Sequence, residues 1–386
     1  MTPLTATTPI TTPTTTQNAT PTPTTTLIPP ESSPQPEPLL QFATPLVGWM
    51  VDPTQPGQIL GTTNGGASWW QSYVGSVSSQ SITGTVKGID FVNATDGWAL
   101  LYGRGLIATR DGGHTWTTPT EPAALGSIVS FTFSAPGDGW AITDMGVLLQ
   151  SVDGGQSWRA EMTPEPAITL CATPTGLLWF GSGSGDIYAS IGGATWHLSL
   201  SGGQVAPPFH NSVGPAPQAP VPWLACVGDS TWALYQYGES AGSDPFVVER
   251  TLDGGAHWGQ LMSPDGGSLV PPNPMVVLNT PSGLGATGPT SAWIFGYCGP
   301  CQTDSPSVVT TANGTSFSGS VLSTAADVYA APVGVTFANP QDGWAVLREQ
   351  PAYTGAPPGS TGPVVTTVVV ATSDGGATWD VVDPDV

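Results

Sequence analysis

Seven tryptophans, Trp49, Trp98, Trp140, Trp179, Trp232, Trp293 and Trp344, each sit in a short apolar run. Each run is followed by a turn box ending in Trp69, Trp116, Trp158, Trp196, Trp258, Phe317 and Trp379 respectively. The clearest boxes read Ser/Thr-x-Asp-Gly-Gly-x-Ser/Thr-Trp, as in Thr109 to Trp116, Ser151 to Trp158 and Thr372 to Trp379. A unit of roughly 40 to 60 residues holding only short strands cannot bury its own apolar face, so neighbouring copies must cover one another. The expected fold is all-β: a seven-bladed β-propeller of four-stranded antiparallel blades.

Within one unit the strands are expected at Lys87 to Val92, Trp98 to Tyr102, Leu106 to Thr109 and Thr115 to Thr118. Asp-Gly pairs just before Trp98, Trp140 and Trp344 signal hairpins between the first two strands. In the box, two glycines permit positive φ, and the Asp carboxylate can accept hydrogen bonds from backbone N–H groups and the Ser/Thr hydroxyl. The closing Trp anchors the turn. Asp111, Asp153, Asp253 and Asp374, with Trp116, Trp158, Trp258 and Trp379, are therefore read as structural. Asn64, Ile191 and Ala312 stand at the Asp position of the first, fourth and sixth boxes, which should make those turns weaker.

The box pattern resembles the Asp-box (BNR) repeat from about residue 40 to the end. That repeat is shared by sialidases, xyloglucanases, the sortilin ectodomain and the photosystem II assembly factor. The resemblance implies a propeller and leaves function open.

Residues 1–38 are Thr- and Pro-rich, as in Thr11 to Thr16 and Pro21 to Thr26. Such a stretch offers little apolar surface to offset chain entropy, so a disordered stalk or linker is expected there, with the propeller over residues 39–386. With 6 Lys and Arg against 27 Asp and Glu, the formal charge is -21, which disfavours nucleic acid and anionic lipid. A stalk before a globular head suggests membrane or cell-wall tethering and an extracellular or cell-envelope location. A monomer is expected.

The longest insertions are Tyr237 to Pro245, Tyr297 to Pro306, Glu349 to Pro363, Gly202 to Pro222 and Ser263 to Pro274. All belong to the face carrying the strand-two-to-three hairpins and the interblade connections; Pro281 to Ser291 reads as an insertion on the opposite face. Recognition is accordingly expected over blades four to seven. The candidate contacts are His210, Trp223, Tyr235, Tyr237, Glu239, Asp244, Tyr297, Asp304, Arg348, Glu349 and Tyr353. Cys298 and Cys301 suit a hairpin-loop disulfide, and Cys171 and Cys226 a bridge near the channel; both suppose an oxidising compartment. The scattered histidines give no metal site, no cofactor is implied, and Asn18, Asn93 and Asn313 begin N-glycosylation triplets.

A sialidase needs several arginines on one carboxylate, and this chain cannot assemble them: only Arg104 and Arg348 reach the loop-rich face. A neutral-glycan hydrolase needs only two carboxyls flanking a cleft, with at least one pKa raised by burial. The favoured expectation is a non-catalytic propeller that binds a protein or glycan. A glycoside hydrolase, sialidase-like or xyloglucanase-like, is the alternative.

Overall fold

The computed structural model describes residues 35–75, 84–118, 125–205, 220–237, 246–262, 278, 280–297, 306–322, 328–351 and 366–383. Seven antiparallel sheets follow one another along the chain, each a meander in sequence order. Blade 1 comprises Leu40–Phe42, Gly48–Val51, Gln58–Thr62 and Trp70–Val74. Blade 7 comprises Val328–Phe337, Gly343–Pro351, Thr366–Thr372 and Asp380–Asp383. In blade 2 the three strands Val86–Phe91, Gly97–Leu101 and Gly105–Thr109 are joined on their outer edge by a single bridge, Ala108 to Thr117.

The first strands of successive blades touch one another around the ring, and that of blade 7 meets that of blade 1. They therefore line a central channel. The first blade is wholly N-terminal and the last wholly C-terminal, so the ring closes without strand exchange. Closure is made by Trp344, which stacks on Phe42 at 3.8 Å and donates its Nε1–H to the Gly65 carbonyl at 2.9 Å.

The same device joins other neighbours. Trp49 stacks on Phe91 and Trp98 on Phe133, with ring centroids 3.6 and 3.5 Å apart. Their indole N–H groups reach Gly112 and Gly154 in the next blade's box, at 2.8 and 2.9 Å. Box tryptophans reach the preceding blade: Trp116 donates to Ser72 Oγ, Trp258 to Ser199 Oγ and Trp379 to Ser320 Oγ. Each such box is thus a joint between blades as well as a turn. The apolar cores lie between blades, as expected of faces that one sheet cannot bury.

In the box of blade 2, Asp111 Oδ1 accepts from Thr109 Oγ1 and the Thr115 N–H, and Oδ2 accepts from Thr115 Oγ1 at 2.6 Å. Gly112 and Gly113 hold φ of 73° and 91°, a region that L side chains rarely enter. Asn64 reproduces the arrangement with a neutral amide, bonding Thr62 Oγ1, the Ser68 N–H and Ser68 Oγ.

Two readings are corrected. In blade 6 the carboxylate's place is taken by Asn313, whose Oδ1 accepts from the Thr315 and Ser316 N–H groups, and not by Ala312. That turn is one residue shorter and has a single glycine. Pro281 to Ser291 is no insertion either, because the first strand of blade 6, Thr280–Ala286, runs through it. Gly283 and Gly285 lie against the Phe295 and Trp293 rings, and a side chain at either would collide with them.

Candidate functional site

Strand-two-to-three hairpins and interblade connections share one face of the ring, here called the mouth. The boxes occupy the other. A cavity of about 1110 Å³ opens on the mouth over blades 7, 1, 2 and 3. Its walls are largely apolar: Leu39, Val51, Pro53 and Pro56 from the first blade's side, Val86, Leu100 and Leu101 from blade 2, Ile128 and Val129 from blade 3, and Pro332 and Val333 from blade 7. Asp52 belongs to this wall but is spent on its own turn, accepting from the Thr54 and Gln55 N–H groups. Asp144 accepts from the Ser127 N–H.

Cations are scarce in this chain, so where they lie carries information. Lys87 and Arg348 line the cavity, and Arg104 is in the hairpin beside Tyr102 and Gly103, which also line it. All three are exposed, and none pairs with a carboxylate among the described residues. Lys87 Nζ lies 5.0 Å from the Tyr102 ring centroid. The other three are engaged in the scaffold: Arg110 pairs with Asp96 and covers Trp98, Arg159 pairs with Glu161, and Arg250 covers Trp232.

The cavity floor is the segment Gln35 to Leu39, which also roofs a second cavity of about 380 Å³ inside the channel. The composition of Gln35 to Pro38 assigns these residues to the tail, yet they cross the lumen. Gln35 donates to the Leu224 carbonyl and accepts from the Leu224 N–H in blade 5, at 3.0 and 2.7 Å. Pro38 O accepts from the Ile89 N–H of blade 2 at 2.9 Å. Gln41 repeats the two-way amide contact on Phe91.

Glu37 and Asp90 are enclosed by protein while keeping some contact with the lumen. Burial pushes the Glu37 carboxyl up to about 8, against opposing hydrogen bonds from Ser130 and the Phe131 backbone, with neighbouring Asp90 raising it further. Asp90 is pushed up to about 6, again by burial, although the Phe133 N–H, Gln41 and Thr132 hydrogen-bond to it. Only Glu37 borders the cavities; Asp90 is tied to the first strand of blade 3. The pair therefore braces strand edges and does not flank an open cleft.

The expected contact residues fare differently. Arg348 lines the cavity and Tyr297 is exposed at the end of the second strand of blade 6. Trp223, Tyr235 and Tyr237 are buried between blades, because strand alternation turns them inward; the Tyr235 hydroxyl donates to the Gly185 carbonyl. They offer no surface. Glu349 lies in the second strand of blade 7, but its side chain, like His210, Glu239, Asp244, Asp304, Tyr353, Cys298 and Cys301, falls outside the described residues. Cys171 and Cys226 form a disulfide between the first strands of blades 4 and 5, with Cα atoms 5.9 Å apart. Lys87, Arg104 and Glu37 are the site residues that loop length did not find.

Residues 70–204 match the family model for the photosynthesis system II assembly factor YCF48. No curated protein matches the chain by sequence. Among solved structures, YCF48 bound to D1 peptide is similar at 18% identity and TM-score 0.51, covering 82% of this chain and 92% of that one. The GH74 enzyme of Niastella koreensis is similar at 10% identity and TM-score 0.54, over 91% of this chain and 67% of that one. Virginiamycin B lyase from Staphylococcus aureus gives 13% and 0.51, over 82% and 93%. Likeness at these identities establishes the fold. With the boxes, it makes the chain a propeller of the Asp-box (BNR-like) kind.

Proposed function

We propose that this propeller is a non-catalytic binding module, secreted or held at the cell envelope, that takes a peptide segment of a partner protein in the mouth cavity. The carrying observation is the set of three cations, Lys87, Arg104 and Arg348, that have no carboxylate partner among the described residues and stand around an apolar cavity in a chain of net charge -21. Carboxylates are plentiful in this chain, so placing three of its six Lys and Arg residues at one opening, with no carboxylate partner among the described residues, suits a ligand that brings its own. YCF48, similar in shape, is bound to a peptide. The disulfide supports an oxidising compartment.

The test is selection from a displayed peptide library on the native protein, followed by titration of the selected peptides into Lys87→Ala and Arg348→Ala. Each charge-assisted contact is worth about 1.5–3 kcal/mol, so affinity should fall about tenfold or more per variant, with a weaker salt dependence. Peptides that bind all three proteins equally would place the site elsewhere.

A glycoside hydrolase is the second reading, favoured by one observation: Glu37 borders the cavity, and burial pushes its carboxyl up to about 8, as a general acid requires. Turnover of a glycan panel that is abolished by Glu37→Gln would replace the binding-module reading.

A further inference from the structure

The segment Gln35 to Leu39 lies in the channel as a bound peptide would. Its side chains alternate: Gln35, Glu37 and Leu39 are partly covered, while Pro36 and Pro38 are exposed. A residue before proline is held extended, and proline brings no N–H that the lumen would leave unpaired. The contacts run to three separate blades: Gln35 to blade 5, Glu37 to blade 3 and Pro38 to blade 2. All three are made on first strands, whose lumen-facing edges have no neighbouring strand in their own sheets.

We propose that these lumen-facing edges of blades 5, 3 and 2 form a peptide site, and that Gln35 to Leu39 is its resident, self-docked ligand. The ligand class is an extended, proline-interrupted segment with amide or carboxyl side chains at alternate positions. An outside segment of that kind displaces the resident one, and the mouth cavity then becomes continuous with the chamber beneath it.

Two features make the resident displaceable. Its hold is a small set of hydrogen bonds, each worth about 0.5–1.5 kcal/mol net, and is opposed by the cost of enclosing the Glu37 carboxyl. Its fit also depends on Gly88, since a Cβ there would clash with the Cβ of Glu37. The site has been left without a side chain where the segment crosses blade 2.

The test uses the full chain in three forms: native, Gly88→Ala, and the double variant Gln35→Ala with Glu37→Ala. A labelled peptide of the sequence Ser33 to Phe42 is titrated into each, and amide exchange is followed at Ile89, Leu224 and the interior Ala141. The double variant should bind the peptide at least about tenfold more tightly than native protein, because competition from the resident segment is reduced, whereas Gly88→Ala should bind it no better, because the peptide's own Glu37 meets the same added Cβ. Exchange at Ile89 and Leu224 should quicken in both variants and slow again on adding peptide in the double variant, with Ala141 protected throughout. A folded double variant that binds no better than native, or a Gly88→Ala protein that binds as tightly as the double variant, overturns the proposal. Loss of protection at Ala141 also overturns it, since the segment would then be a fixed part of the fold. The mouth-cavity reading stands or falls separately, on the titration of its selected peptides into Lys87→Ala and Arg348→Ala, neither of which alters the resident segment.

Discussion

Trp49 of blade 1 lies flat on Phe91 of blade 2 with an interplanar angle of 3°, and its indole N–H reaches past that ring to the Gly112 carbonyl. One side chain thereby fixes both the distance between two blades and the height of the second blade's box. Ser72 of blade 1 adds a bond to the Gly113 carbonyl and takes one from Trp116. Strand and turn are locked across the joint, so a blade and its neighbour are expected to lose structure together.

That relationship predicts an inequality. Trp49→Phe removes the donor to a buried carbonyl, whereas the Trp179 indole N–H has no partner among the described residues and Trp179→Phe leaves no acceptor there stranded. Both changes shrink a fully buried ring, so the cavity cost is shared. Trp49→Phe should be the more destabilising by about 1–3 kcal/mol in urea unfolding. Equal midpoints would mean that the hydrogen bond contributes little to the joint.

The boxes predict an acid limb. The Thr115 hydroxyl, then its N–H, hold Asp111 down at about 2; His257 and Thr378 do the same for Asp253 and Asp374. A depressed folded pKa gives stability that is present above the unfolded value near 3.8 and is lost as pH falls through about 2. Thermal unfolding between pH 4 and 2 should thus fall less steeply in Asp374→Asn. Asn64 shows that an amide can make the same turn. An unchanged acid slope in the variant would remove the box carboxylates as its source.

Blades were legible because their signals are local: Asp-Gly before Trp98, paired glycines after Asp111, one Trp per second strand. Asn313 was missed because its turn is a residue short, so the register of the longer boxes put Ala312 in its place. Gln35 to Pro38 were counted with the tail because proline-rich composition says nothing of fit to a distant strand; the alternation Gln35, Glu37, Leu39, Gln41 was the available clue. Tyr235 suggests a contact residue by its nearness to the Tyr237 to Pro245 loop, yet it lies inside the strand Ser230–Gln236, whose alternation buries it between blades. The mouth cavity escaped because Lys87 and Arg348 are brought together by ring closure, which no local window contains.

The disulfide predicts a redox dependence. Cys171 and Cys226, separated by 55 residues, bridge adjacent first strands. Closing a loop of that length is worth on the order of 4 kcal/mol in the chain-entropy account. Reduction, or Cys171→Ala with Cys226→Ala, should lower the urea midpoint while leaving the seven-blade circular dichroism intact. A midpoint indifferent to reductant would show that the neighbouring blades already hold these strands.

The channel carboxyls predict an alkaline limb of opposite sign to that of the boxes. For Glu37 the folded pKa is raised, so the folded state keeps a proton that the unfolded chain has released, and stability falls as pH rises from about 4.5 to about 8. Asp90 adds the same sign between about 3.8 and 6, and Glu249, raised by burial to about 7, adds it on the far side of the ring. Lys87, Arg348, Asp52 and Asp144 line the cavity that Glu37 borders and remain in every variant. Glu37→Gln keeps the shape and removes the proton. Native protein should therefore lose more stability than the variant between pH 5.5 and 8, and the two should run parallel above about pH 9. If the variant's curve followed the native one throughout, Glu37 would be ionised in the folded protein, and the channel floor would be held by a charge and not by a retained proton.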